Sequence, residues 1–115
     1  MYKFSYAEVL DDASDERRGR EVMALEHGIE LLQKAKAGDP SAPTTIEAIR
    51  FIQQLWGFLI RDLSDDTNGL AEQLRADLIS IGLWVIREAD RVLSGASTNI
   101  AGLIEVNRSI RDGLK

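Results

Sequence analysis

His27 and Glu30 stand three residues apart, a spacing that puts an imidazole and a carboxylate on one face of a helix. Metal-binding bundles use such pairs, but in the order Glu-x-x-His, twice over, with further glutamates. Here the order is reversed, the pair occurs once, and His27 is the single histidine. With no cysteine, the chain has no thiolate ligand, no thiol nucleophile and no disulfide framework. Serines and aspartates are present, yet there is no nucleophile elbow and no glycine-rich phosphate loop. These residues point away from an enzyme, a cofactor and a metal, and His27 reads as a partly exposed structural histidine.

The chemistry on offer is instead that of apolar contact. Trp56 and Trp84 each suit a core, but the apolar side chains around them exceed what one bundle can hide. The elements that must position them follow from period and punctuation. A first helix is expected from about Asp15 to Ala37, with Ser14 as N-cap, acids at Asp15 and Glu16 in the first turn, and Gly38 as a left-handed cap. Its stripe is Val22, Leu25, Ile29 and Leu32. A second, about Thr45 to Leu63, opens with a Thr44-x-x-Glu47 capping box. It carries one stripe of Ile49, Ile52, Trp56, Leu59 and Leu63, and beside it another of Phe51, Leu55 and Phe58. A polar turn at residues 64–69 leads to a third, about Leu70 to Leu93, with the stripe Leu74, Leu78, Ile81, Val85 and Val92. Leu83, Trp84 and Ile86 spread around it, and Gly95 stops it. A fourth begins near Asn99 and carries Ile100, Leu103, Ile104, Asn107, Ile110 and Leu114. Asn107 falls on the apolar seam, where it either pairs with a backbone group or fixes register and reads a partner. Gly82 and Gly102 sit inside these helices, where close helix approach or partner contact is their use.

The first ten residues are a separate aromatic element: Tyr2, Phe4 and Tyr6, then Val9 and Leu10. The expected organisation is one domain, residues 1–12 forming an N-terminal segment and 13–115 a helical bundle. Short connections favour antiparallel neighbours, hence an all-α, up-down four-helix bundle; a long-helix dimer is the alternative. A bundle buries about one stripe per helix, so the surplus needs another cover: the N-terminal segment, a second copy of the chain, or a partner helix in a groove. The partner-binding candidates are Tyr2, Phe4, Tyr6, Phe51, Leu55, Phe58, Leu83, Trp84 and Asn107. The core is expected to hold Leu25, Ile29, Ile52, Trp56, Leu59, Leu78, Ile81 and Val85.

The 115 residues suffice for one core without staples. The net charge of −5 removes the counterion-release attraction that drives most nucleic-acid binding, so direct RNA or DNA binding is disfavoured. The most apolar run, Leu78–Ile86, is far short of a membrane span and is broken by Ser80 and Gly82. Lys3 followed by Glu8, Asp11 and Asp12 lacks the order of a signal peptide. A cytoplasmic protein is the expectation.

Several stretches together resemble one family. They are Tyr2–Leu10, Leu55–Leu63 (LWGFLIRDL), Leu74–Glu88 (LRADLISIGLWVIRE) and Asn99–Leu114, the last with Gly102-Leu103-Ile104, Val106-Asn107-Arg108 and Ile110-Arg111-Asp112-Gly113-Leu114. The chain is similar, over nearly its full length, to the flagellar biosynthesis regulators called FlaF, of alphaproteobacteria. The resemblance implies a non-enzymatic role in flagellin production and secretion, alongside a second regulator, FlbT. It implies flagellin as partner, held by a secretion chaperone or adaptor; the alternative is regulation of flagellin expression through an FlbT-like partner. It brings no catalytic, cofactor or metal residue. In size, helix count and aromatic N-terminus the chain is also similar to four-helix flagellin export chaperones, an analogy of form alone.

Overall fold

The computed structural model describes residues 6–35 and 42–114, and these form four helices: α1 (Tyr6–Ala35), α2 (Pro43–Ser64), α3 (Glu72–Leu93) and α4 (Ile100–Leu114). No strand occurs among the described residues. Residue numbers rise along α1 as they fall along α2, Arg17 meeting Asp62 and His27 meeting Phe51, so the two run antiparallel. Gln53 against Asp90 and Leu63 against Arg75 give α2 and α3 the same relation. The up-down bundle expected from the short connections is thus present.

Helix α1 packs on both α2 and α4, and α2 packs on α3, whereas the backbones of α3 and α4 scarcely meet. The ring of four is therefore closed on three sides and slack on the fourth. Its core is Leu25, Ile29 and Leu32 of α1, Ile49, Ile52, Trp56 and Leu59 of α2, Val85, Ala89 and Val92 of α3, and Ile100, Leu103 and Ile104 of α4. Burial of a side chain of this size contributes about 1.5–3 kcal/mol. Six of the eight expected core residues are in it. Leu78 and Ile81 are not: both are only partly buried, Ile81 packing against the core's edge, because α4 does not come close enough to cover that flank of α3.

Two helix starts differ from expectation. Helix α1 begins at Tyr6, not near Asp15, so Ser14 lies inside it and residues 6–12 belong to the bundle's longest helix rather than to a separate segment. No proline or turn signal interrupts Ala7–Glu16, so the helix that the tertiary contacts anchor can propagate backward through it. At α2 the Thr44–Glu47 box gives way to Pro43 at the first helical position, with Ala42 as N-cap and no side-chain cap bond. Proline lacks the N–H that a cap would satisfy and is preset for a helical φ. Thr45 and Ile46 donate their N–H groups to the Ala42 carbonyl instead, and Thr45 is fully buried. The Gly38 cap, Tyr2 and Phe4 lie outside the described residues.

The other punctuation falls where the residue types put it. Gly69 (φ +89°) and Gly95 (φ +81°) supply the left-handed conformations before and after α3. The Asn99 side-chain oxygen accepts from the Gly102 N–H at 3.0 Å, capping α4. The Arg75 guanidinium donates to the carbonyls of Leu63 and Asp65, closing the C-terminal end of α2 with a positive charge where the helix dipole favours one.

Candidate partner-binding surface

Where α3 and α4 fail to close, an apolar groove of about 470 Å³ remains, lined by Ile81 and Trp84 on one wall and Glu105, Val106, Ser109 and Ile110 on the other. It is a direct product of side-chain size. The face that α3 turns to α2 carries Gly82 and Ala89, both buried. A Cβ at position 82 would stand 2.7 Å from Trp56 Cε3 and 3.0 Å from Ile60 Cγ1, so glycine is what lets α2 lie against α3 there. The flank turned toward α4 carries Ile81 and Trp84 instead, and these hold the helices apart.

Glu88 lies on the same flank, one turn beyond Trp84 and two beyond Ile81. It is 7 % exposed, its Oε2 is 3.5 Å from the Arg91 guanidinium, and its Oε1 has no hydrogen-bond partner. An acid at a position of the apolar period was the signal in the sequence.

Asn107 is fully buried. Its Oδ1 accepts from the Trp56 indole N–H at 2.7 Å, and its Nδ2 donates to the Leu103 carbonyl at 2.7 Å. The amide pairs with a backbone group and also ties α2 to α4 across the bundle. This bond fixes both side chains in the core, and leaves Trp56 no polar atom to seek elsewhere.

The remaining candidates do not gather into one patch. Phe51 meets the His27 ring edge-on at a centroid distance of 4.9 Å, and His27 itself is exposed. Leu55 and Phe58 border a second, smaller depression between α1 and α2, with Arg17, Arg20 and Ala24 around it. Phe58 is 55 % exposed. Leu83 is 47 % exposed, on the outer side of α3 away from the groove that takes its neighbour Trp84. Tyr6 is the first residue of α1; its side chain, like Tyr2 and Phe4, lies outside what the structure describes. The groove's α4 wall was missed in the sequence. Val106 stands off the main stripe of α4, and a lone apolar residue beside a stripe is a weak signal.

One end of the bundle holds an acid pair. Glu21 is hydrogen-bonded to Asp62, and its carboxyl is pushed up to about 7 by burial first, then by that bond and by the negative charge beside it; Arg17 and Arg18 pull the other way. Asp62 also accepts from Arg17 at 3.3 Å and from Asn68 at 3.4 Å. The small cavity these residues border with Leu59, Leu78 and Leu114 has about 40 Å³ of free space, too little for a side chain. Nearby, Asp65 is held below the usual carboxylate range by the backbone N–H and the hydroxyl of Thr67.

No group of three or more metal-binding side chains occurs among the described residues, and no helix there is long and apolar enough to cross a membrane. The arrangement offers binding by apolar contact, with one large groove as its principal feature. In comparisons with known proteins, the family model described as flagellar protein FlaF matches residues 2–114, nearly the whole chain. No curated protein and no solved structure matches it.

Proposed function

The chain belongs to the flagellar protein FlaF family, and from that premise we propose that it is a non-enzymatic, cytoplasmic partner of flagellin: a secretion chaperone or adaptor that supports flagellin synthesis and export. The observation that carries this reading is the unclosed seam between α3 and α4. That seam leaves Ile81, Trp84 and Val106 only partly covered by the bundle's own core.

The physical account is short. An amphipathic helix that folds only on assembly has an apolar face that self-associates when free. An acidic bundle offering an apolar groove covers that face and keeps the monomer in solution. Regulation of flagellin level then follows from occupancy, free protein reporting scarcity and loaded protein the opposite.

The test is a pull-down from motile cells with the full chain as bait, scored separately for flagellin and for the FlbT-like regulator, followed by calorimetry with each purified protein. Direct, saturable binding of flagellin is the expected result. Capture of the FlbT-like protein alone, with no heat on mixing with flagellin, would move the function to regulation through that partner.

A further inference from the structure

Helix α1 is longer than the bundle it belongs to. Its thirty residues rise about 45 Å, and the twenty-two of α2 about 33 Å. Arg17 meets Asp62 and α2 ends at Ser64, so residues 6–14 run past the end of α2 for about two and a half turns. The other neighbour of α1 is α4, whose last described residue, Leu114, borders the same small cavity as Glu21; α3 does not pack on α1. The overhang therefore has no helix of its own chain beside it. Tyr6, Leu10 and Ala13 fall on one face of it, at spacings of four and three, and Arg17, Arg20 and Ala24 continue that spacing along the helix. The last three, with Glu21, are the α1 wall of the depression of about 270 Å³ whose other wall is Leu55 and Phe58. Phe58 is 55 % exposed, and Met23, three residues past Arg20 and on its side of α1, is 70 % exposed. Overhang and depression share one continuous helix, so the overhang cannot fold back into its own depression.

Charge divides α1 at the same place. Residues 6–15 hold four acids, Glu8, Asp11, Asp12 and Asp15, and no base; residues 17–20 hold three arginines and no acid. Glu16 and Glu21 bound the arginines. Glu21 and Arg17 are both engaged with Asp62, which leaves Arg18 and Arg20, exposed and without an ion pair among the described residues, against the exposed Glu16. The two blocks keep opposite signs after this count.

We propose that two copies of the chain pair through α1, antiparallel, the overhang of each lying in the α1–α2 depression of the other. A two-fold axis at Asp15 sets Tyr6 of one copy level with Ala24 of the other, Leu10 with Arg20 and Ala13 with Arg17. Asp12 comes level with Arg18 of the other copy and within one turn of its Arg20. The same rotation fills both depressions at once, as an isologous interface does. A foreign helix would have to bring both the apolar stripe and the reversed order of charge; a second copy carries both by construction. Apolar contacts with Leu55 and Phe58 supply the affinity, and the charge blocks set the antiparallel direction. The α3–α4 groove takes no part, so the pairing stands or falls apart from the flagellin reading.

The experiment is analytical sedimentation of the full chain over a range of concentrations, with a thermal melt of each variant to confirm that it is folded. The wild type is expected to dimerise, less tightly as salt is added. Leu10→Glu, in the overhang, and Phe58→Glu, at the depression, should each weaken the dimer about tenfold or more. Leu83→Glu, exposed on the outer side of α3, is the control and should leave it unchanged. Asp12→Arg and Arg20→Glu should each weaken it alone, whereas an equimolar mixture of the two should pair as the wild type does, because each variant then meets its opposite charge in the other. A wild type that stays monomeric at every concentration overturns the proposal. So does a dimer that survives both Leu10→Glu and Phe58→Glu, which places the contact elsewhere, and so does a mixture of the two charge variants that fails to pair.

Discussion

Helix α3 takes part in two seams that differ in one property, the size of the side chains between the axes. Toward α2 it presents Gly82 and Ala89, and the two helices lie close enough for Trp56 and Ile60 to touch its backbone. Toward α4 it presents Ile81 and Trp84, and the seam stays open. Both flanks are apolar, so hydrophobicity alone does not decide which one closes. Shape does: close packing needs complementary volumes, and two bulky ridges facing each other leave a trough.

The sharpest way to break this comparison is at its anchor. Trp56→Ala removes the largest fully buried side chain and leaves Asn107 Oδ1 without its donor. The expected loss is about 3–5 kcal/mol of unfolding free energy in denaturant titration. A loss below about 1 kcal/mol would show that the α2 side is not the rigid half.

A paired measurement follows. Ile52 is fully buried while Leu78 is only partly buried at the slack end of α3. Ile52→Ala should cost about 2–5 kcal/mol and Leu78→Ala about 1–2 kcal/mol, since a partly exposed side chain has less transfer energy to lose and leaves a smaller cavity. Equal losses would mean that α4 covers Leu78 in solution and that the open seam closes.

Gly82→Ala probes the closed seam directly. Alanine gains about 1 kcal/mol in helix propensity. Against that stands overpacking of about 1–3 kcal/mol, because the new methyl meets an indole that cannot swing aside. A net loss on the order of 1 kcal/mol is expected in thermal melts; a stabilised variant would refute the close approach.

The smallest effect lies at the end of the bundle. Glu21 titrates near 7 in the folded chain against 4.5 ordinarily, facing Asp62, Arg17 and Arg18. Because the folded value is the higher one, the contribution of protonated Glu21 to stability is complete below pH 4.5 and is lost as pH rises through about 7. Glu21→Gln should therefore melt above the wild type beyond pH 7, the difference shrinking toward pH 4.5. A difference independent of pH would refute the raised Glu21 carboxyl.

How much of this was legible before the structure depends on what kind of rule was in play. Period and turn chemistry located the bodies of α2, α3 and α4, because Gly69, Gly95 and the apolar stripes obey local rules. The start of α1 was not legible. Ser14, Asp15 and Glu16 look like a cap, but such residues also occur inside helices anchored elsewhere. Leu78 and Ile81 show the deeper limit. Their spacing puts them on an apolar face, but burial depends on whether a neighbour arrives, and the period of the stripe does not say so. Of the groove's lining, Trp84 stood out in the sequence by its size, and Val106 and Glu105 did not, since a groove wall has no period of its own. Asn107 was visible as an anomaly on its stripe, and only the fold showed Trp56 to be its partner.

The placement of the two tryptophans has a spectroscopic consequence. Trp56 is 1 % exposed and donates its indole N–H to an amide, whereas Trp84 is half-exposed in the groove. One chromophore sits in the dry interior and the other at the wetted seam, so their emission divides by colour and by access to iodide. The red, quenchable component reports the surroundings of the α3–α4 seam, and the blue, protected one reports integrity of the bundle. The chain therefore carries its own two-channel optical assay, and a single titration without any attached dye separates a change at the seam from unfolding.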